Sequence, residues 1–383
     1  MVMLRNLGII VKRSAPSSRC AGIRRLLRRF AARNDGKKRN LPVVHQTMHP
    51  TTTPKPAAFH VLAVILLVVT GILASSTDCR AGKRTLRQWL TGEGEEVELP
   101  PGAELGEITH NGTKRTYYLY IPPSLEGKRP LPLVIAFHGG RQGSGMKFAE
   151  HTGLDALAGK EGFAVAYPDA VEFWNDGLSP KVKTDDVGFT RTLIDHLVKT
   201  RGMDPKRIYA TGAANGGIFA MRLACDAPDR IAAFAPVLAS MPEEYRDLCR
   251  PKTPVSIMMI NGTEDPFVPW EGGYVSLGKG GDVIAVMETV DLWLHHNGCT
   301  DETEVEELPD RDPEDGTRVE VLRYRGCRDD AAVVLVRVNG GGHGWPGTPE
   351  RPGRLRTSVI GRTSYDIDAA RMIWDFFKGH RLR

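Results

Sequence analysis

Gly212-Ala213-Ala214-Asn215-Gly216 has the G-x-S-x-G spacing of a bend that lifts a serine nucleophile out of the backbone, with alanine at the attacking position. It follows the apolar run Arg207-Ile208-Tyr209-Ala210 and leads into Ile218 to Ala224, so the local pattern reads strand, tight turn, helix. Two further loops carry groups that would serve such a bend. Asp265 lies in Asn261-Gly262-Thr263-Glu264-Asp265-Pro266, and His343 lies in Gly340-Gly341-Gly342-His343-Gly344-Trp345-Pro346-Gly347. In the order bend, acid, histidine, His343 is the expected general base. Asp265 would hold its tautomer and stabilise the imidazolium, with Glu264 as the fallback acid. The backbone N–H of Asn215 and those of the His138-Gly139-Gly140 turn, Gly139 and Gly140 above all, are the expected donors to an oxyanion. The chemistry is acyl transfer with the attacking atom missing. In serine hydrolases loss of the nucleophile removes about 10⁶ in rate, and about 10³–10⁴ over water remains from binding and the oxyanion hole. Asn215 is not nucleophilic, and Ser144 would need a different geometry to replace the absent hydroxyl.

The elements that must carry these loops alternate along the chain. Leu131–Phe137 and Phe163–Pro168 are continuous apolar runs suited to buried parallel strands, Ala232–Leu238 and Val255–Ile260 read as further buried strands, and Val333–Val338 reads as the last strand. Thr116–Ile121, ended by Pro122-Pro123, reads as a strand at a sheet edge. Glu304–Arg325 reads as an antiparallel addition. Helices are expected at Leu154–Lys160, after an Asp185-Asp186 cap with Phe189, Leu193, Ile194, Leu197 and Val198 on one face, at Val283–His296, and at the C-terminus with the stripe Ile367, Ala370, Trp374 and Phe377. This is an α/β fold with a mainly parallel central sheet flanked by helices, and its reactive loops belong at the carboxyl ends of the strands.

Taken together, Phe137-His138-Gly139-Gly140, Tyr167-Pro168-Asp169, Trp174-Asn175-Asp176-Gly177, Asp185-Asp186-Val187-Gly188-Phe189, the bend at 212–216, Gly262 to Pro269 and Gly341 to Gly347 resemble the polyhydroxybutyrate depolymerase and feruloyl esterase family of secreted serine esterases. The resemblance runs from about residue 106 to 380. It implies an α/β-hydrolase fold, carboxylic-ester substrates and disulfides like a Cys299–Cys327 pair. Two departures stand out: Leu178-Ser179-Pro180 occupies a stretch where relatives commonly carry cysteines, and Ala214 occupies the nucleophile position.

Outside this region, residues 1–47 carry twelve Lys and Arg against the single acid Asp35, a charge of +11, which leaves −6 for residues 48–383 out of the net +5. A mildly acidic folded part argues against nucleic acid as a partner. Residues 1–47 read as a basic leader extension, either upstream of a true start at Met48 or a tail lying on anionic lipid. Residues 48–79 read as a signal peptide or membrane anchor. The apolar core Val61–Val69 is short of the about 20 residues a span needs, and Ala74-Ser75-Ser76 offers small residues for cleavage. Residues 80–105 read as a linker and 106–380 as the hydrolase domain. Cys225, Cys249, Cys299 and Cys327 form an even set with three possible connectivities, Cys225–Cys249 with Cys299–Cys327 being one. His295-His296 at a helix end reads as solvent-facing, and no C-x-x-C is present, so neither metal nor cofactor is expected. Asn111-Gly112-Thr113 and Asn261-Gly262-Thr263 match the glycosylation pattern. Trp174 and Trp345 either line a pocket or belong to the core. The expected partner is a small or oligomeric ester or a carbohydrate-linked ligand. Membrane contact is expected only through an uncleaved leader. Three readings are open at this level: an impaired esterase that still binds its ligand, an active esterase whose serine codon was altered or misread, and a non-catalytic binding or cell-surface protein on the same scaffold.

Overall fold

The computed structural model describes residues 99–140, 145–276, 278, 280–300 and 302–383. The readings of residues 1–47 and 48–79, most of the 80–105 linker, and Ser144 lie outside the described residues. Pro100–Arg383 forms one compact unit. Its first strand, β1 (Ala103–His110), starts ahead of the expected boundary at Gly106 and turns through Asn111-Gly112 into β2 (Thr113–Tyr120). Asn111 (φ 48°) and Gly112 (φ 74°) both take the left-handed backbone that a two-residue hairpin turn requires.

The remaining strands are β3 (Leu131–Phe137), β4 (Ala164–Pro168), β5 (Met203–Ala213), β6 (Ala233–Val237), β7 (Ile257–Gly262), β8 (Gly273–Val275), β9 (Gly281–Val283), β10 (Thr303–Glu307), β11 (Arg318–Tyr324) and β12 (Val333–Asn339). Ten of them form one sheet in the order β1-β2-β4-β3-β5-β6-β7-β12-β11-β10. From β4 to β12 every neighbouring pair is parallel. The two ends are antiparallel, β1-β2 on one side and β11-β10 on the other. The expected antiparallel addition within Glu304–Arg325 is therefore present as β10 and β11. The edge assignment of Thr116–Ile121 is corrected: β2 lies between β1 and β4. Pro122 and Pro123 fall beyond the end of β2, so they remove no donor from its ladder.

The helices are α1 (Gly145–Thr152), α2 (Leu154–Glu161), α3 (Asp186–Arg201), α4 (Asn215–Asp226), α5 (Glu243–Arg246), α6 (Val286–Asn297), α7 (Arg354–Ile360) and α8 (Ala369–Phe377). The expected helix at Val283–His296 begins later, at Val286, because Val283 pairs in the β8-β9 hairpin. The Asp185 carboxylate accepts from the N–H of Gly188 and caps α3. The apolar stripe of α8 buries against the sheet, where Trp374 stacks on Phe163 with ring centroids 4.0 Å apart. Disulfides join Cys225 to Cys249 and Cys299 to Cys327, 24 and 28 residues apart in sequence. Among the described residues no helix is long and apolar enough to cross a membrane.

Behind the loops at the carboxyl ends of β4 and β5 lies a buried ion pair. Arg115 on β2 places Nη2 at 2.8 Å from Asp186 Oδ1, with the two side chains 5% and 0% exposed. The same nitrogen donates to the Asp169 carbonyl, and the guanidinium lies 3.9 Å from the Phe189 ring centroid. Asp186 Oδ2 accepts from the backbone of Asn175 and from the Thr184 hydroxyl. Removing one member of such a pair leaves an uncompensated buried charge, which costs about 3–5 kcal/mol. Arg115→Met is accordingly expected to lower unfolding stability by that amount in urea titration. A loss below about 1 kcal/mol, the range of an exposed pair, would show that the pair does not hold these loops.

Candidate active site

Strand β5 ends at Ala213 and helix α4 begins at Asn215, so residue 214 must reverse the chain within a single position. It does so with φ 52° and ψ −120°, a backbone state that costs a non-glycine residue about 1–3 kcal/mol. Two glycines make the turn sterically feasible. A Cβ at Gly212 would sit 2.4 Å from the Gly216 carbonyl oxygen, and one at Gly216 would sit 2.1 Å from that of Phe137. The bend is anchored by the Ala214 N–H donating to Val237 and the Ala214 carbonyl accepting from Ile218. Ala214 therefore occupies a complete, strained turn and presents only a methyl group.

The other two expected side chains meet. His343 Nδ1 lies 2.7 Å from Asp265 Oδ2, with side chains 11% and 2% exposed. The second carboxylate oxygen of Asp265 accepts from the N–H groups of Phe267 and Val268, at 2.8 and 2.9 Å, which fixes the orientation of the acid. Glu264 points away and pairs with Arg362 at 3.1 Å, so the fallback acid is corrected in favour of its neighbour. Its neighbour's turn sends one side chain inward and the other to solvent. Gly342 and His343 are held by backbone bonds to Arg362 and Ile360, which places the imidazole over the end of the sheet.

The His138-Gly139-Gly140 turn borders the bend directly: a Cβ on Gly139 would approach the Ala213 carbonyl oxygen to 2.7 Å. His138 is 2% exposed, and burial pushes its ring below the usual histidine range. The neutral ring accepts at Nε2 from the Ala170 N–H, at 3.1 Å. Asn215 begins α4, where the first backbone N–H groups have no intrahelical acceptor. Its side chain is clamped: Oδ1 accepts from the Trp174 N–H at 2.9 Å, and Nδ2 donates to Asp176 Oδ2 at 2.5 Å. Burial pushes the Asp176 carboxyl up to about 6.

Two spaces meet at Ala214. A cleft of about 420 Å³ is lined by His343, Gly139, Gly140, Trp345, Phe148 and Arg356, among others. A cavity of about 20 Å³ lies on the other side of the bend, against Trp174, Asp176, Leu178, Ile218, Val268 and Val275. Trp345 is thus a wall of the cleft. Trp174 is a core residue stacked on Phe219 at 5.1 Å, with its Nε1 donating to the His138 carbonyl, and it also lines the small cavity. Sequence patterning missed His151, Thr348, Glu350 and Arg356 on the wall of the cleft, because polar residues on the short helices α1 and α7 and in the loop before α7 carry no local signal of facing a site. Asp176 was visible only as part of a motif. His296 lies outside both spaces, with Nε2 at 3.1 Å from the Thr253 carbonyl. Asn261 is 2% exposed, which removes it as a glycan acceptor in the folded chain, whereas Asn111 is exposed in its hairpin.

The sheet order, the sharp bend after β5, and an acid and a histidine on the loops after β7 and β12 define an α/β-hydrolase. Residues 115–240 match the family model described as Esterase PHB depolymerase. The chain is 32% identical over 291 residues to a protein named as an esterase, NocK, of Nocardia uniformis subsp. tsuyamanensis, covering 71% of this chain and 82% of that protein. It is 30% identical over 238 residues to feruloyl esterase B of Piromyces equi, covering 60% of this chain and 42% of that enzyme. Among solved structures, an acetyl xylan esterase from Aspergillus awamori superposes with a TM-score of 0.44 at 16% identity, covering 67% of this chain and 99% of that one. The chain belongs to the polyhydroxybutyrate depolymerase and feruloyl esterase family.

The buried Asp176 carboxyl has a testable signature. A folded-state value raised from 3.8 to about 6 makes its contribution to stability fullest below the unfolded value, and that contribution is lost as pH rises through about 6. A shift of that size corresponds to about 3 kcal/mol at 1.36 kcal/mol per unit. Asp176→Asn, which keeps an acceptor for Asn215, is expected to gain stability relative to the parent between pH 4 and pH 7, by up to that amount. Urea midpoints at both pH values measure it, and parallel curves for the two proteins would refute it.

Proposed function

We propose that this protein binds carboxylic esters at the junction of cleft and cavity and, as it stands, does not form an acyl-enzyme. The observation that carries the reading is the His343–Asp265 pair at 2.7 Å in a cleft that also contains the methyl of Ala214. An imidazole with its tautomer held by a buried carboxylate is the general base of acyl transfer. The N–H groups of Asn215 and of the Gly139-Gly140 turn are the donors assigned to the oxyanion. With a methyl at 214, no Oγ–carbon bond can form, so a bound ester persists and turns over only by slow attack of water assisted by His343. Catalytic impairment is thus a consequence of one atom, with the supporting groups retained. Ligands are small or oligomeric esters, including carbohydrate-linked ones, and the name of the related feruloyl esterase supports an ester.

We also propose that the folded unit works outside the cytoplasm. The two disulfides support this, since such bonds persist in oxidising compartments. The apolar segment within residues 48–79 supplies a route.

Restoring the hydroxyl is the direct test. Ala214→Ser is expected to raise kcat/KM on p-nitrophenyl esters by at least about 10³-fold, and by as much as about 10⁶-fold. Adding Asp265→Asn to that variant should remove most of the gain in kcat, up to about 10⁴ of it. Steady-state assays with a burst measurement read both. Hydrolysis by the unmodified chain at the rate of the serine variant would mean that another nucleophile operates and would overturn the proposal.

A further inference from the structure

We infer from the unequal spaces on either side of Ala214 that the site takes esters of a short acyl group with a bulky alcohol. This inference rests on the esterase reading above and goes on to assign the two halves of the ligand. Only the large cleft contains His343; the small cavity does not. In acyl transfer through a nucleophile at this position, the Oγ–carbon bond forms and the carbon–oxygen bond to the alcohol breaks. The proton taken from Oγ by the imidazole passes to the departing alcohol oxygen, and water then releases the acid and restores the hydroxyl. The alcohol oxygen must therefore lie on the His343 side, within the cleft of about 420 Å³. The acyl substituent is left to the cavity of about 20 Å³. On one measure the cavity is about one twentieth the size of the cleft, so a methyl or ethyl group suits it better than an aromatic acid or a long chain.

The walls of the cavity suit that occupant. Leu178, Ile218, Val268 and Val275 are each less than a tenth exposed, and Trp174 is fully buried. Asp176, Asn215 and Ser179 are the polar residues of the wall. Asp176 has both carboxylate oxygens occupied, by the Leu178 N–H and by Asn215 Nδ2, and the Asn215 amide is tied to Trp174 and Asp176, so neither offers a strong site for a charged acyl end. The cleft has the opposite character. His151, Thr348, Glu350 and Arg356 along its wall offer donors, acceptors and both signs of charge to a polyhydroxylated alcohol.

The unmodified chain and its serine variant test this together. In the unmodified chain, equilibrium binding of benzyl acetate, butyrate and hexanoate is compared. The acetate is expected to bind at least about tenfold more tightly than the hexanoate, although each added methylene would favour binding to open apolar surface. In Ala214→Ser, kcat/KM is expected to fall at least about tenfold from p-nitrophenyl acetate to hexanoate. It should also be higher for naphthyl acetate than for methyl ferulate, the pair with the bulk reversed. Val275→Ala, which widens the cavity without touching the dyad or the bend, should move the optimum toward butyrate in both measurements. Tighter binding of the hexanoate, preference for methyl ferulate, or an optimum unmoved by Val275→Ala overturns the assignment. Should Ala214→Ser be inert on every ester while the unmodified chain binds them in the expected order, the esterase reading falls and the cavity assignment stands. Absence of binding by all three esters overturns both.

Discussion

Backbone crowding at the end of β5 is the constraint on which the site depends. Four segments converge there: the end of β3 with the His138-Gly139 turn, the bend itself, the start of α4, and the end of β6. Their carbonyl oxygens approach so closely that Gly212 and Gly216 have no space for a side chain. This contact forces residue 214 into a left-handed φ, and that φ points its side chain to the meeting place of cleft and cavity. The strain is independent of what residue 214 carries. A methyl group at the tip does not relax it, because the cause lies in the neighbours. That is why a chain without the attacking hydroxyl still keeps a nucleophile-type bend.

Around this point a set of buried polar contacts holds the loops that face the bend. Arg115 and Asp186 tie β2 to α3 and to the loops containing Asp169 and Asn175. Ala170 and Trp174 in turn hold His138 through its ring and its carbonyl, and Trp174 and Asp176 clamp Asn215. Each contact joins residues far apart in sequence, so the two backbone turns beside Ala214 are positioned by one connected network. Asp265 shows the same economy on the other side, with one oxygen engaged by its own loop and the other by His343.

Much of this was legible before folding was considered. Continuous apolar runs such as Leu131–Phe137 are buried on both faces of the sheet and read as such. Glycine spacing marked the bend, and glycine-rich loops marked His343. What was misread had a nonlocal cause. Thr116–Ile121 looked like an edge because prolines follow it, yet an upstream hairpin strand covers it. Val283 continued a helical pattern but was captured by pairing in a short hairpin. Asp265 was already preferred to Glu264 as the acid, and the turn gives the reason, burying the one side chain and exposing the other.

By itself, the amino-acid sequence determined the alternation of strands and helices, the order of bend, acid and histidine, and the absence of an attacking hydroxyl at residue 214. These are properties of single residues and of short periodic segments, and they need no distant partner. The tertiary structure decided which cysteines pair, which carboxylate meets the imidazole, and how much room lies on each side of the bend. Those depend on separations between residues that are remote along the chain: the cavity wall alone draws on Trp174, Ile218, Val268 and Val275, from four different segments. Volume and pairing arise only when such segments pack, because no local pattern specifies the distance between two loops.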